Sequence, residues 1–183
     1  MSIRGDANRS VWIFGYGSLM WDRWEIGYGC TRRELAELPG YRRTFNRASI
    51  KRWGTHASPG PTLNLVAAPQ ERCRGMAFAF PALSDAAVRA YLTEREGLPL
   101  CERTIQLATG GAVLALVTIY EGSNLIQAAS VEEAAEMACR AAGSGGRCID
   151  YVRNIASKLA ELGISDPAVS DLIAAIDRVG RAV

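Results

Sequence analysis

The sequence predicts an α+β fold, a mixed, barrel-like β-sheet with helices packed on one side. Three observations carry this. Short apolar runs separated by turn residues fill the first half, and two more flank Gly110-Gly111. The last third holds two helix-start signals, Ser130 with Glu133 and Asp166 with Pro167.

Taken in order, Val11 to Phe14 is a short strand closed by Gly15, and Tyr41 to Ser49, Thr62 to Ala68 and Cys73 to Phe80 are further strands. A helix follows over 84–96. Ser84 or Asp85 can cap it, Ala87, Val88, Tyr91 and Leu92 share one face, and Gly97 suits its end. Cys101 to Leu107 and Ala112 to Tyr120 read as a hairpin, the second arm apolar enough for a central strand. Helices over 131–142, 148–162 and 167–179 complete the chain, with Gly143 and Gly163 as stops.

At 183 residues the chain is sized for one domain, expected over 11–183 after a loose polar tail at 1–10. Lys+Arg number 21 against Asp+Glu 19, a balance that gives no reason to expect a nucleic-acid or membrane partner. Five cysteines, an odd number with no C-x-x-C pair, point to reduced thiols in the cytoplasm. With His56 the single histidine, neither a zinc site nor a Ser-His-Asp triad is expected. No apolar run approaches the roughly 20 residues that span a bilayer.

Residues 11–21 read VWIFGYGSLMW. A strand ending in Gly15-Tyr16-Gly17-Ser18 can turn sharply and aim successive N–H groups into a concavity suited to a carboxylate. A dinucleotide loop fails its own test, because the third glycine would fall at position 20, which is Met20. The Gly143 to Arg147 stretch lacks the Gly-Lys-Ser/Thr step of a phosphate loop and reads as a linker. Arg32-Arg33 and Arg42-Arg43 form a basic cluster, either solvated strand ends or a docking point for a peptide carboxylate.

The run Phe14 to Leu19 followed by Met20-Trp21 resembles the N-terminal signature of the ChaC-like γ-glutamyl cyclotransferases. Gly54-Thr55 with Pro59-Gly60 is similar to that family's G-T-x-x-x-P-G loop, and Tyr91 to Glu96 to its Y-L-x-x-R-E segment. Gly146-Arg147 with Tyr151 is a weaker echo of G-R-N-x-x-Y-L, with Cys148 where Asn is expected. The G-Y step after the R-E is also missing, since the chain reads Gly97-Leu98-Pro99. The resemblance implies a γ-glutamylcyclotransferase-like fold and a cofactor-free enzyme releasing 5-oxoproline from a small γ-glutamyl amide, glutathione first among them, with Cys-Gly as the other product.

In such an amide the α-amine attacks its own γ-carbonyl, so no protein nucleophile or metal is required. The protein must fold the γ-glutamyl arm, stabilise charge on the carbonyl oxygen and move one proton. The resemblance implies Glu96 as the general acid/base. Its place in the last turn of a helix, at the negative end of the dipole, suits a carboxylate that must also be protonated, although Glu94 and Glu102 lie close by. For Ile13, Phe14, Gly15, Tyr16, Gly17, Ser18 and Leu19 the resemblance implies substrate contacts, with Tyr151 lining the same pocket. The alternatives are a relative acting on another γ-glutamyl amine and a non-catalytic γ-glutamyl-binding protein.

Overall fold

The computed structural model describes residues 10–97, 99–127 and 130–181. Most of the expected tail at 1–10 therefore lies outside the described residues, and Ser10 already belongs to a strand. The elements are β1 (Ser10–Gly15), β2 (Arg32–Ser49), β3 (Gly60–Pro81), α1 (Asp85–Glu96), β4 (Leu100–Leu107), β5 (Ala112–Thr118), α2 (Val131–Arg140), β6 (Ala142–Gly143), β7 (Gly146–Arg147), α3 (Cys148–Glu161) and α4 (Pro167–Val179). Strands β1 to β5 form a closed barrel in the order β1-β3-β2-β4-β5. The sheet is mixed: β1 pairs antiparallel with β3, Ile13 opposite Phe78, and parallel with β5, Ile13 opposite Leu116. Closure leaves no open edge.

Two strands are longer than their apolar runs. In β2 the buried side alternates through Ala36 and Leu38, then changes phase to Arg43 and Phe45. Gly40, with φ of 79°, lies where the phase changes, in the left-handed region that a Cβ disfavours. In β3 the segments read as separate strands are one element. Its two ends are buried, and Pro69 falls in the exposed middle, away from the buried ladder that a missing N–H would weaken.

The chain divides into two compact units, one of residues up to Arg42 with Ala67–Ile119, the other of Arg43–Val66 with Tyr120–Val183. The first contains β1, β4, β5 and α1. Val88 and Leu92 are fully enclosed on one face of α1, each contributing about 1.5–3 kcal/mol, whereas Ala87 is exposed. Gly97 ends the helix at φ 61°, its N–H donating to the Thr93 carbonyl. Ser84 occupies the cap position but makes no side-chain cap, since a 3-10 turn, Ala82–Ser84, leads into the helix instead.

The second unit contains α2, α3 and α4 with the remaining parts of β2 and β3. The Ser130 hydroxyl accepts from Glu133 N–H at 3.1 Å, and the Glu133 carboxylate accepts from Ser130 N–H at 2.8 Å. Asp166 caps α4 ahead of Pro167. The Gly143 to Arg147 stretch is a β6–β7 hairpin rather than a plain linker, turning at Gly146 with φ 115°. Arg43 departs furthest from expectation: its side chain is 0% exposed and ion-paired to Asp166 Oδ2 at 2.9 Å.

Candidate active site

The turn after β1 is anchored on every side but one. Ile13 and Phe14, on opposite faces of β1, are both buried, which fixes where the turn emerges. Gly15 ends the ladder opposite Met76, and Gly75 beside it leaves room that a Cβ would not, because that atom would meet the Gly15 carbonyl oxygen at 2.4 Å. Tyr16 is buried, its hydroxyl donating to the Thr118 carbonyl at 2.9 Å. Leu19 and Met20 are buried in the 3-10 turn Ser18–Met20. Gly17 and Ser18 alone within 13–20 are partly open to solvent. The first N–H groups of such a turn lack intrahelical partners, which suits them to an anion.

Arg95, in the last turn of α1, meets this segment. Its Nη2 donates to Ser18 Oγ at 3.0 Å and its Nη1 to the Tyr91 hydroxyl at 2.9 Å, while Asp22 Oδ2 pairs closely with Nη1. Burial works against its charge, yet the Tyr91 hydroxyl and the Asp22 carboxylate outweigh that and hold the guanidinium above its ordinary value. Glu96 Oε1 lies 3.3 Å from Arg95 Nε, and the Glu96 side chain is 18% exposed. Glu94 and Glu102 are exposed, so of the three nearby carboxylates Glu96 is the sheltered one.

Trp24 backs the turn. Its Nε1 donates to the Leu19 carbonyl at 3.0 Å, and its ring stacks on Tyr91 at 5.5 Å between centroids and packs on Phe78 and Phe80. Neither Trp24 nor Asp22 was singled out from sequence, although both follow the motif directly. For Arg95 a signal existed, since Tyr91 and Arg95 are spaced i,i+4 on one helix face.

Tyr151 belongs to the second unit. Its hydroxyl accepts from Leu63 N–H at 3.1 Å, and its ring stacks on Trp53 at 5.1 Å. Cys148 is fully buried one turn earlier in α3, its thiol donating to the Pro61 carbonyl at 3.4 Å. Leu98, where the expected tyrosine is missing, lies outside the described residues. Each arginine of the basic cluster has an acidic partner: Glu34 for Arg32, Glu25 for Arg33, Glu71 for Arg42 and Asp166 for Arg43.

The first unit thus joins an anion-compatible turn to a sheltered carboxylate through one guanidinium. That arrangement can hold an acidic group and move a proton next to it. Among the described residues no three His, Cys, Asp or Glu gather as a metal site, and no helix is long and apolar enough to cross a membrane.

The fold is that of a solved γ-glutamyl cyclotransferase specific to glutathione from yeast. It is 21% identical, with a TM-score of 0.81 over 93% of this chain and 97% of that one. Among sequences, the chain is 31% identical over 175 residues to γ-glutamylcyclotransferase 2-3 of Arabidopsis thaliana, covering 89% of this chain and 86% of the relative. To the glutathione-specific γ-glutamylcyclotransferase of Escherichia coli K12 it is 29% identical over 181 residues, 92% of this chain and 74% of the relative. The sequence pattern of the ChaC-like proteins matches residues 11–179, which takes in the turn, Arg95-Glu96 and all four α-helices, and the chain belongs to that family.

Proposed function

We propose that this protein is a γ-glutamyl cyclotransferase that converts glutathione to 5-oxoproline and Cys-Gly. The observation that carries the reading is the convergence on Arg95: Ser18, 77 positions away in sequence, and the candidate acid/base Glu96 lie 3.0 and 3.3 Å from the same guanidinium. Family membership and the relatives named above support the substrate.

In the reaction the substrate α-amine attacks the γ-carbonyl carbon, forming the C–N bond of a five-membered lactam, and the bond to the cysteinyl nitrogen breaks. Glu96 takes a proton from the attacking amine and returns it to the leaving nitrogen, so the enzyme ends as it began. Gly17 and Ser18 offer donors to the γ-glutamyl end, while Ile13, Phe14, Gly15, Tyr16 and Leu19 fix the turn. A substrate-binding role is proposed for Tyr151 as well, from the family pattern alone. The nucleophile is intramolecular, so positioning supplies much of the acceleration.

Residues 11–183 are proposed to act as one domain, which the single family match over 11–179 supports. A cytoplasmic setting is proposed from the five free cysteines. The test is incubation of purified protein with glutathione and with simpler γ-glutamyl amides, measuring 5-oxoproline. Release from glutathione is expected. Release only from another γ-glutamyl amide moves the substrate assignment, and release from none overturns the reading.

A further inference from the structure

We propose that Arg95 is a positioning residue, one that sets Ser18 as a hydrogen-bond donor toward the substrate and holds the Glu96 carboxylate beside it. The proposal rests on the cyclotransferase reading above. A guanidinium only donates, through five N–H groups fixed in one plane. Ser18 Oγ must therefore accept from Arg95, which leaves the hydroxyl proton to be donated elsewhere. A substrate carboxylate or developing oxyanion only accepts, so this polarity is the one it needs.

The same plane reaches three other groups, the Tyr91 hydroxyl, the Asp22 carboxylate and the Glu96 carboxylate. Asp22 balances the charge of Arg95, and the Arg95 side chain is only 13% exposed. Its effect therefore runs through the groups it holds rather than through direct capture of an anion. A lysine in its place keeps the charge but ends in a single ammonium on a flexible stem, which cannot span four partners.

The experiment measures kcat and KM for 5-oxoproline release by the parent, Ser18→Ala, Arg95→Lys, their double variant and Tyr91→Phe, with thermal unfolding of each. Arg95→Lys is expected to lower kcat/KM about 100-fold, shared between a higher KM and a lower kcat. In the Ser18→Ala background the same change should no longer raise KM but should still lower kcat, because the KM effect runs through Ser18. Tyr91→Phe removes one hydroxyl and leaves Arg95 in place, and is expected to lose about threefold in kcat/KM while folded.

Parental kinetics in folded Arg95→Lys overturn the proposal, as do KM losses that multiply independently in the double variant. Should Arg95→Lys fail to fold, parental kcat/KM in folded Tyr91→Phe overturns it. A parent that releases no 5-oxoproline overturns the underlying reading as well, whereas an active parent with an unaffected Arg95→Lys removes this inference alone.

Discussion

Glu96 Oε1 lies 3.3 Å from Arg95 Nε at the end of a helix that Gly97 closes by donating its N–H to the Thr93 carbonyl. The carboxylate is thus held by a partner that a neutral amide of the same shape can still approach. Glu96→Gln is expected to fold as the parent does, with an unfolding temperature within a few degrees. An amide cannot carry the proton, so kcat should fall by at least about 100-fold, with KM changed by no more than about threefold. Steady-state kinetics with thermal melting check this, and parental kcat would remove Glu96 from the mechanism.

A steric argument ties β3 to the turn. A Cβ on Gly75 would meet the Gly15 carbonyl oxygen at 2.4 Å and the Phe14 ring at 2.7 Å, neither of which is a mobile side-chain tip. Gly75→Ala must therefore push β1 away where it delivers Gly17 and Ser18. The expected cost is about 1–3 kcal/mol in denaturant unfolding. KM should rise as well, because the turn moves with its strand. A variant of parental stability and parental KM would show that the turn does not depend on this approach.

Arg43 and Asp166 make a second separable pair. The guanidinium is 0% exposed, and Asp166 both neutralises it through Oδ2 and caps α4 through Oδ1, which accepts from Val169 N–H. Asp166→Ala removes the cap and a charged partner of a buried cation, and is expected to cost about 3 kcal/mol. Asp166→Asn keeps a capping oxygen and should cost less. Urea unfolding of both variants separates the two roles. Equal losses would show that the cap contributes nothing and that the whole cost comes from the lost charge.

The contrast between these pairs explains what could be read from the chain alone. Ser130 with Glu133, Asp166 with Pro167 and Gly97 are local devices whose chemistry acts within four residues, and all three were legible and are present. The turn at Gly15 to Ser18 was legible for the same reason. The continuity of β3 through Pro69 was not, because a proline in an exposed strand segment looks in sequence like a turn. Arg43 looked like surface because its partner lies 123 positions away. The link from Arg95 to Ser18 was hidden by the same kind of separation. Local pattern places the helices and the turn, while the burial that unites a site comes from pairings no window of sequence contains.

Cys148 offers a pH-dependent test of that burial. Desolvation, helped by the nearby Cys139, pushes its thiol from an ordinary value of 9.0 up to about 12, and Gly60 packs so closely that a Cβ there would meet Sγ at 2.9 Å. The folded thiol therefore stays neutral in a range where the unfolded chain ionises. Above about pH 9 the unfolded state gives up this proton first, so stability falls as pH rises, by up to about 1.4 kcal/mol per pH unit, until the folded thiol also ionises near 12. Cys148→Ser keeps a donor for the Pro61 carbonyl and does not titrate in this range. Its stability between pH 9 and 11 should decline less steeply than the parent's, as measured by urea unfolding at each pH. The other titrating groups are common to both proteins and cancel in the difference. Parallel curves would mean that the thiol is hydrated in the folded protein, and rapid alkylation of Cys148 in native conditions would say the same.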